Sequence, residues 1–465
     1  MINKKRVSII ILLCTVGLLS AQTQAKQQVS MVITDLDTKQ IVVNRNGAVK
    51  MTPASITKLI TTATALEILG DDFRFKTEIL VDGTINKGKL NGNLIIKAGG
   101  DPVLGSSYFD DTNFLNDWAS AVKAFGISEI YGDIVADVSV FDNNPLPRGW
   151  GSPDVGNYYA AGIYGLSFLD NSLAVYFRSG RVGTKPQIIG TFPKIDGFKI
   201  YNHITSQRGV GDKAYFSGLP YENHRKVGGF IEANTDSFLV KADMPNPPMV
   251  LIKAFKDTLQ KHGVLQHGKL KVSHQNVTYN RTLLPVFASY SVPLSDIVSV
   301  TNVYSNNMTA EYLLKYLSLQ KHQQGSSLGG VEVIKEFWES RGLDFSSLSM
   351  YDGSGLTRYN RFSALFLNSL LVYMAKESRY ADVFFESLPV AGVNGTVRNL
   401  LKNTELSGTA YLKSGSMSKV QCYAGYIIYG NKKYSIVVMV NNYAGKRKDT
   451  VAMIEKMVVD SFKGL

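Results

Sequence analysis

The segment Pro53-Ala54-Ser55-Ile56-Thr57-Lys58-Leu59 decides how this chain is read. It sets a hydroxyl, Ser55, three residues ahead of an amine, Lys58. Thr52 and Pro53 read as an N-cap and first-turn pair. The apolar spacing up to Leu69 predicts a helix, and Gly70 ends it. On a helix, residues three apart are neighbours, about 5–6 Å between Cβ atoms. A neutral lysine amine so placed can take the serine proton, and burial or a nearby positive charge lowers its pKa toward that state. The free N–H groups and positive dipole end of a first turn also favour a developing negative charge. Spacing alone decides little: Ser120/Lys123, Ser318/Lys321 and Ser416/Lys419 share it, and an ordinary first-turn serine looks the same.

Two short motifs far downstream give the segment partners. Ser305-Asn306-Asn307 stands where a turn feeds a helix, with apolar spacing at Met308, Tyr312, Leu313, Tyr316 and Leu317. Alone it reads equally well as a cap. Lys413-Ser414-Gly415 closes a predicted strand and is the one Lys-[Ser/Thr]-Gly of the sequence. Its lysine brings positive charge and its serine a hydroxyl able to bind a carboxylate, while the glycine lets a substrate backbone approach closely. The conjunction carries the argument: three motifs in order, at a helix start, at a turn into a helix, and at a strand edge.

The bulk of the sequence is consistent with a large exported enzyme. A chain of 465 residues exceeds one ordinary core and predicts two or three domains. It is 45% hydrophobic and 19% charged, the balance of a globular protein. Lys4-Lys5-Arg6 followed by the apolar run from Val7 to Ser20 and by Ala21 and Ala25 predicts a secretory signal over 1–25; an uncleaved anchor is the other reading of that run. The chain is thus expected to be exported, to the periplasm or cell envelope. Outside that segment Cys422 is the one cysteine, so no intramolecular disulfide and no cysteine-based zinc site is expected. The formal charge of +12 predicts solubility and weak attraction to anionic surfaces, compatible with peripheral membrane association. An exported chain without a basic-aromatic motif is not expected to bind nucleic acid.

Read in order, the texture changes twice. Strand-like runs Ser30–Thr34 and Gln40–Asn44 precede the Ser55 helix. Helix, glycine turn, glycine and strand then occur as a unit twice: Asn113–Phe125 into Asp133–Asp137, and Pro247–Lys261 into Lys269–Ser273. They predict two halves of one inserted α+β domain over 79–165 and 243–284. The stretch 166–242, rich in Gly, Tyr and Phe, predicts a nested, mostly β domain. Helices return from Leu294, and the strands Thr409–Ser414, Val420–Tyr429 and Lys433–Asn441 precede a terminal helix, Lys448–Phe462. The first and last parts, 26–78 and 285–465, predict one discontinuous α+β domain, an antiparallel sheet flanked by helices.

With these motifs in place the sequence resembles the penicillin-recognising serine enzymes, and specifically the class C D-alanyl-D-alanine carboxypeptidase/endopeptidases. The resemblance also runs through Gly99-Gly100-Asp101-Pro102, Gly132-Asp133-Ile134-Val135, Tyr159-Ala160-Ala161, Ala310-Glu311-Tyr312-Leu313-Leu314, Asp352-Gly353-Ser354-Gly355-Leu356-Thr357-Arg358 and Leu388-Pro389-Val390-Ala391-Gly392. The long stretch from Lys58 to Ser305 fits this branch, whereas related β-lactamases lack room for two extra domains there. The resemblance implies acyl transfer through Ser55 without a cofactor, on peptidoglycan stem peptides, with β-lactams as covalent inhibitors. Lys58 would take the serine proton, and Ser305, in the field of Lys413, would pass a proton to the leaving nitrogen. Asn307 would bind the substrate backbone, and the edge through Lys413, Ser414, Gly415 and Ser416 would pair with the peptide as an added strand. The Ser414 and Ser416 hydroxyls would hold the terminal carboxylate, and the N–H groups of Ser55 and Ser416 would form the oxyanion hole. Asp154, Tyr159, Arg358, Met417 and Ser418 match a side-chain pocket, where an acid would suit the free ammonium of a diaminopimelate stem; a loop aspartate and a structural arginine are the plainer readings. A β-lactamase and a non-catalytic peptidoglycan-binding scaffold are the competing functions.

Overall fold

The computed structural model describes residues 26–110, 112–275 and 283–464. The secretory signal expected at 1–25 lies outside the described residues. Strands β1 (Gln28–Asp35), β2 (Ile41–Arg45) and β3 (Lys50–Met51) lead to a 3-10 turn (Ala54–Thr57) and helix α1 (Lys58–Leu69). The first inserted stretch holds β4 (Lys76–Asn86), β5 (Lys89–Lys97), α2 (Phe114–Ala124), β6 (Glu129–Ile130) and β7 (Ile134–Asp137). Six strands follow without a long helix: β8 (Ser172–Arg178), β9 (Gln187–Phe192), β10 (Lys199–Gln207), β11 (Lys213–Ser217), β12 (His224–Glu232) and β13 (Phe238–Asp243). The second inserted stretch is α3 (Pro247–Lys261), β14 (Leu265–Gln266), β15 (Leu270–Ser273) and β16 (Leu284–Tyr290). The remainder is α4 (Leu294–Val303), α5 (Asn307–Ser318), α6 (Ser327–Glu339), β17 (Phe362–Ser363), α7 (Ala364–Lys376), α8 (Ala381–Glu386), β18 (Ala410–Met417), β19 (Val420–Tyr429), β20 (Lys432–Asn441) and α9 (Arg447–Lys463).

Five strands form the sheet of the discontinuous domain in the order β18-β19-β20-β1-β2, all antiparallel. Alternate residues along a strand face opposite sides, and here both sides are buried. Val32, Val437 and Met439 join the core that contains α1 and α7, while Met31, Ile33, Ile436 and Val438 join a second core closed by Ile454, Val458 and Phe462 of α9. A fully buried aliphatic or aromatic side chain contributes about 1.5–3 kcal/mol, so these two layers hold the sheet on which the site is built. Asn368 of α7 locks onto it, accepting from Thr34 at 2.6 Å and donating to Ser435 at 3.0 Å.

The two repeated helix-to-strand units share one sheet. β6 and β7 pair parallel with β5, and β14 and β15 extend them in parallel. Their glycines are needed at the crossings: a Cβ on Gly132 would meet the Gly92 carbonyl oxygen at 2.2 Å, and one on Gly268 the Gly132 oxygen at 2.1 Å. The helices α2 and α3 cover the sheet, with Trp118 edge-on to Phe255 at 5.6 Å. The strands β8–β13 make two three-stranded sheets over a small core, tied by a buried ion pair between Arg225 and Asp243.

The inserted sheet runs across the boundaries expected at 78 and 285. β16 pairs with β4 from Tyr290↔Lys76 to Leu284↔Val81, so we place the domain joins near 75 and 291. Likewise Leu166 and Phe168 belong to the core under α2 and α3, and the nested module begins near β8. A strap over 139–165 returns to the catalytic domain. Phe141 and Ile163 pack with Met308 and Tyr312, and Trp150 packs beside Leu356 and donates to Asp352 at 2.9 Å.

Candidate active site

The turn that carries Ser55 differs from the expected first turn of an α-helix. Ser55 lies in the 3-10 turn, one residue after Ala54, whose φ of 50° is in the left-handed region. An alanine there is strained, and the neighbours that impose it are visible. Gly355 packs so closely that a Cβ would meet the Ala54 oxygen at 2.0 Å, and Gly415 of β18 would meet the Pro53 oxygen at 2.6 Å. Thr52 caps nothing: its backbone N–H and C=O are both paired with the Asn441 side chain. The turn therefore takes its shape from tertiary packing. β18 also runs past Ser414, where the sequence predicts its end, through Met417.

Lys58 opens α1 and is fully buried. Its Nζ donates to Ser55 Oγ at 3.1 Å, to Asn307 Oδ1 at 2.6 Å and to the Ser354 carbonyl at 2.7 Å. Burial lowers its pKa to about 7, against the opposing pull of the Asp352 and Glu311 carboxylates. Burial thus favours the free amine, held within reach of the serine hydroxyl.

Ser305 lies between α4 and α5 with φ 58°, and Asn306 caps α5 by accepting from the Thr309 N–H at 3.2 Å. That bend turns the Ser305 hydroxyl to Lys413, whose Nζ donates to it at 2.8 Å and to the Ser414 carbonyl at 2.8 Å. Burial first, and the Lys58 charge second, hold the Lys413 pKa well below the ordinary lysine value. Asn307 bridges outward, its amide donating to the Tyr159 carbonyl at 2.7 Å. Ser414 Oγ donates to Thr396 at 2.8 Å, and Ser416 is exposed at the free edge of β18.

The strap brings Asp154 and Tyr159 together, the phenol donating to the carboxylate at 3.4 Å. Partial burial raises the Asp154 pKa, and Arg358 works against it. The Arg358 guanidinium donates to the Ser418 carbonyl at 3.3 Å, while Met417 packs against the catalytic core. Cys422 is buried, its thiol pushed up to about 12 by burial, as suits a small apolar core residue.

Four further residues serve this site without a role read from the sequence. Glu311, buried on α5, accepts the Gly353 and Ser354 N–H groups at 3.0 and 2.7 Å, and burial pushes its pKa up to about 8. Asp352 accepts from the Gly355 and Thr357 N–H groups at 2.8 and 2.7 Å. Together they hold the Ser354 carbonyl on Lys58. Thr396 is the partner of Ser414. The signal was partial: Glu311, Asp352 and Ser354 fall within stretches that carry the family resemblance, but nothing local marks them as neighbours of Lys58.

A serine on a tight turn, a buried amine on its hydroxyl, and a second serine–lysine pair make up the constellation expected of a serine peptidase that works by acyl transfer. Residues 17–460 match the model of the D-Ala-D-Ala carboxypeptidase 3 (S13) family, and the chain belongs to that family. It is 27% identical over 430 residues to a D-alanyl-D-alanine carboxypeptidase of Actinomadura sp. strain R39, covering 89% of this chain and 78% of the relative. It is 26% identical over 427 residues to D-alanyl-D-alanine carboxypeptidase DacB of Haemophilus influenzae, covering 90% and 86%. The crystal structure of penicillin binding protein 4 (dacB) from Haemophilus influenzae superposes with a TM-score of 0.82 at 24% identity, covering 94% of this chain and 96% of that one. A predatory peptidoglycan endopeptidase from Bdellovibrio bacteriovorus shares the fold more loosely, with a TM-score of 0.53 at 18% identity over 94% and 93%.

Proposed function

We propose that Ser55 is the acylated nucleophile of a DD-peptidase acting on D-alanyl-D-alanine ends of peptidoglycan stems, and on the D-alanyl cross-links between them. The observation that carries this is the pairing of Ser55 with a buried Lys58 at 3.1 Å, opposite Ser305 and Lys413 at 2.8 Å. Ser55 Oγ attacks the penultimate D-alanine carbonyl and Lys58 accepts its proton. The tetrahedral oxyanion lies against the Ser55 and Ser416 N–H groups, each worth about 3–4 kcal/mol in comparable sites. The C–N bond then breaks, and the proton that Lys58 took is relayed through Ser305, beside Lys413, to the departing nitrogen, which leaves Lys58 a free amine again. Asn307 and the β18 edge hold the acyl peptide, and Ser414 and Ser416 its terminal carboxylate. Water hydrolyses the ester and returns Ser55.

Asp154 and Tyr159, with Arg358, Met417 and Ser418 around them, receive the side chain of the stem's third residue. A free ammonium there would pair with Asp154. β-Lactams would acylate the same serine and leave slowly. The leader expected at 1–25 places this work outside the cytoplasm, and no helix among the described residues is long and apolar enough to cross a membrane. The test is labelling with a fluorescent penicillin, then digestion of muropeptides by wild type and Ser55→Ala. Wild type is expected to carry label on Ser55 and to release D-alanine and monomeric stems. An unlabelled wild type, or equal digestion by Ser55→Ala, defeats the assignment.

A further inference from the structure

Beyond Ser305 the cleft does not end. It opens into a cavity of about 140 Å³ walled by Tyr108, Tyr158, Asp170, Lys241 and Tyr304. All three modules meet there: Tyr304 immediately precedes Ser305, Tyr108 follows β5 of the inserted domain, and Lys241 lies on β13 of the nested one. The Tyr108 and Tyr304 rings lie 5.0 Å apart, and both are exposed, as is Tyr158. Such rings left to solvent lose apolar contact that a ligand can restore. Asp170 is already engaged, accepting from the Ser106 and Ser107 hydroxyls at 2.5 and 2.8 Å. Lys241 is exposed and makes no ion pair among the described residues. The trough thus offers aromatic faces and, among the described residues, the unpaired cation of Lys241.

We propose that this trough is a subsite for the leaving half of a cross-linked substrate, an anionic peptide joined through its nitrogen to the bond that Ser55 attacks. The proposal rests on the roles given above to Ser55 and Ser305. Ser305 protonates the departing nitrogen, so whatever that nitrogen carries begins at the Ser305 wall. A departing D-alanine brings only a methyl and a carboxylate, and the carboxylate is held by Ser414 and Ser416. It has nothing to place among three tyrosines. A leaving group that continues as a second stem does: its methylenes and peptide planes lie on the rings, and a carboxylate reaches Lys241. The inserted modules then select cross-linked over linear substrate by completing a wall that the catalytic domain lacks alone.

The test compares wild type, Lys241→Ala, Lys241→Arg and Tyr108→Ala in the full chain. Substrates are a cross-linked stem dimer released from peptidoglycan and a short N-acylated D-Ala-D-Ala peptide, with penicillin acylation as a third readout. Each alanine variant is expected to lose about tenfold in kcat/KM on the dimer, chiefly through KM, as loss of one charge-assisted or aromatic contact implies. The short peptide and penicillin should change by less than about twofold, and Lys241→Arg should recover most of the dimer activity. Dimer cleavage at the wild-type rate by both alanine variants overturns the subsite. So does a parallel loss on dimer and short peptide, which is the mark of a structural role. A wild type that penicillin does not label would instead remove the serine assignment, and the subsite with it.

Discussion

Lys58 Nζ and Asn307 Oδ1 lie 2.6 Å apart although 249 positions separate them. A carboxamide oxygen can accept from an ammonium or from an amine, so this contact orients Lys58 in either charge state. The charge is set by burial, and function follows the resulting pKa.

Penicillin acylation is therefore expected to rise with pH through about 7 and then level, as the Lys58 amine loses its proton. Lys58→Arg, whose guanidinium stays protonated, should not be acylated at any pH between about 5 and 9. Stability carries the same signature. The folded pKa lies below the ordinary lysine value of 10.5, so between about 7 and 10.5 the unfolded chain binds more protons and stability rises with pH, by up to ~1.4 kcal/mol per pH unit. Denaturant titrations of wild type and Lys58→Met should differ by that slope; parallel curves would remove the argument.

Glu311→Gln tests the support behind Lys58. A glutamine cannot accept both the Gly353 and Ser354 N–H groups, so the Ser354 carbonyl shifts off Lys58, and an acceptor that favours the protonated amine is lost. Acylation should slow by about tenfold or more, and its pH midpoint should move down. A midpoint that stays put or moves up would show that Glu311 acts on something else.

Gly415→Ala puts a methyl 2.6 Å from the Pro53 oxygen and 3.0 Å from the Ser55 nitrogen. Overpacking of this kind costs about 1–3 kcal/mol. Acylation should fall by about two orders of magnitude or more, because the displaced atoms belong to the nucleophile's turn. Wild-type acylation with only a lowered Tm would be the contrary outcome.

For the side-chain pocket, Asp154→Asn is expected to weaken turnover of diaminopimelate peptides by about tenfold, the order of one charge-assisted contact. Peptides ending in D-Ala-D-Ala without a free ammonium should change little. Comparable losses on both would show Asp154 to be a loop residue holding Tyr159.

The Ser55–Lys58 pair and the two motifs that meet it were legible as candidates because each is a short pattern in a local setting that its own residues determine. Hairpins and the repeated helix-glycine-strand units were legible for the same reason. The left-handed Ala54 was not: Gly355 and Gly415 impose it from hundreds of residues away. Nor were Glu311 and Asp352, acids that look like solvated residues until the fold closes over them and backbone N–H groups replace water. The joins near 75 and 291 escaped because β4 and β16 read as strands in either domain, and only their mutual pairing decides which.

The catalytic sheet places β1 between β2 and β20, so Gln28 pairs with Asn441 and Asp35 with Tyr434. The sheet therefore closes only when the segments 28–35 and 434–441 meet. Until then the turn bearing Ser55 lacks β18 against its flank. Reactivity is in this sense an assembly checkpoint. A chain whose last strands have not joined the sheet is expected to resist acylation, so penicillin labelling would count finished molecules.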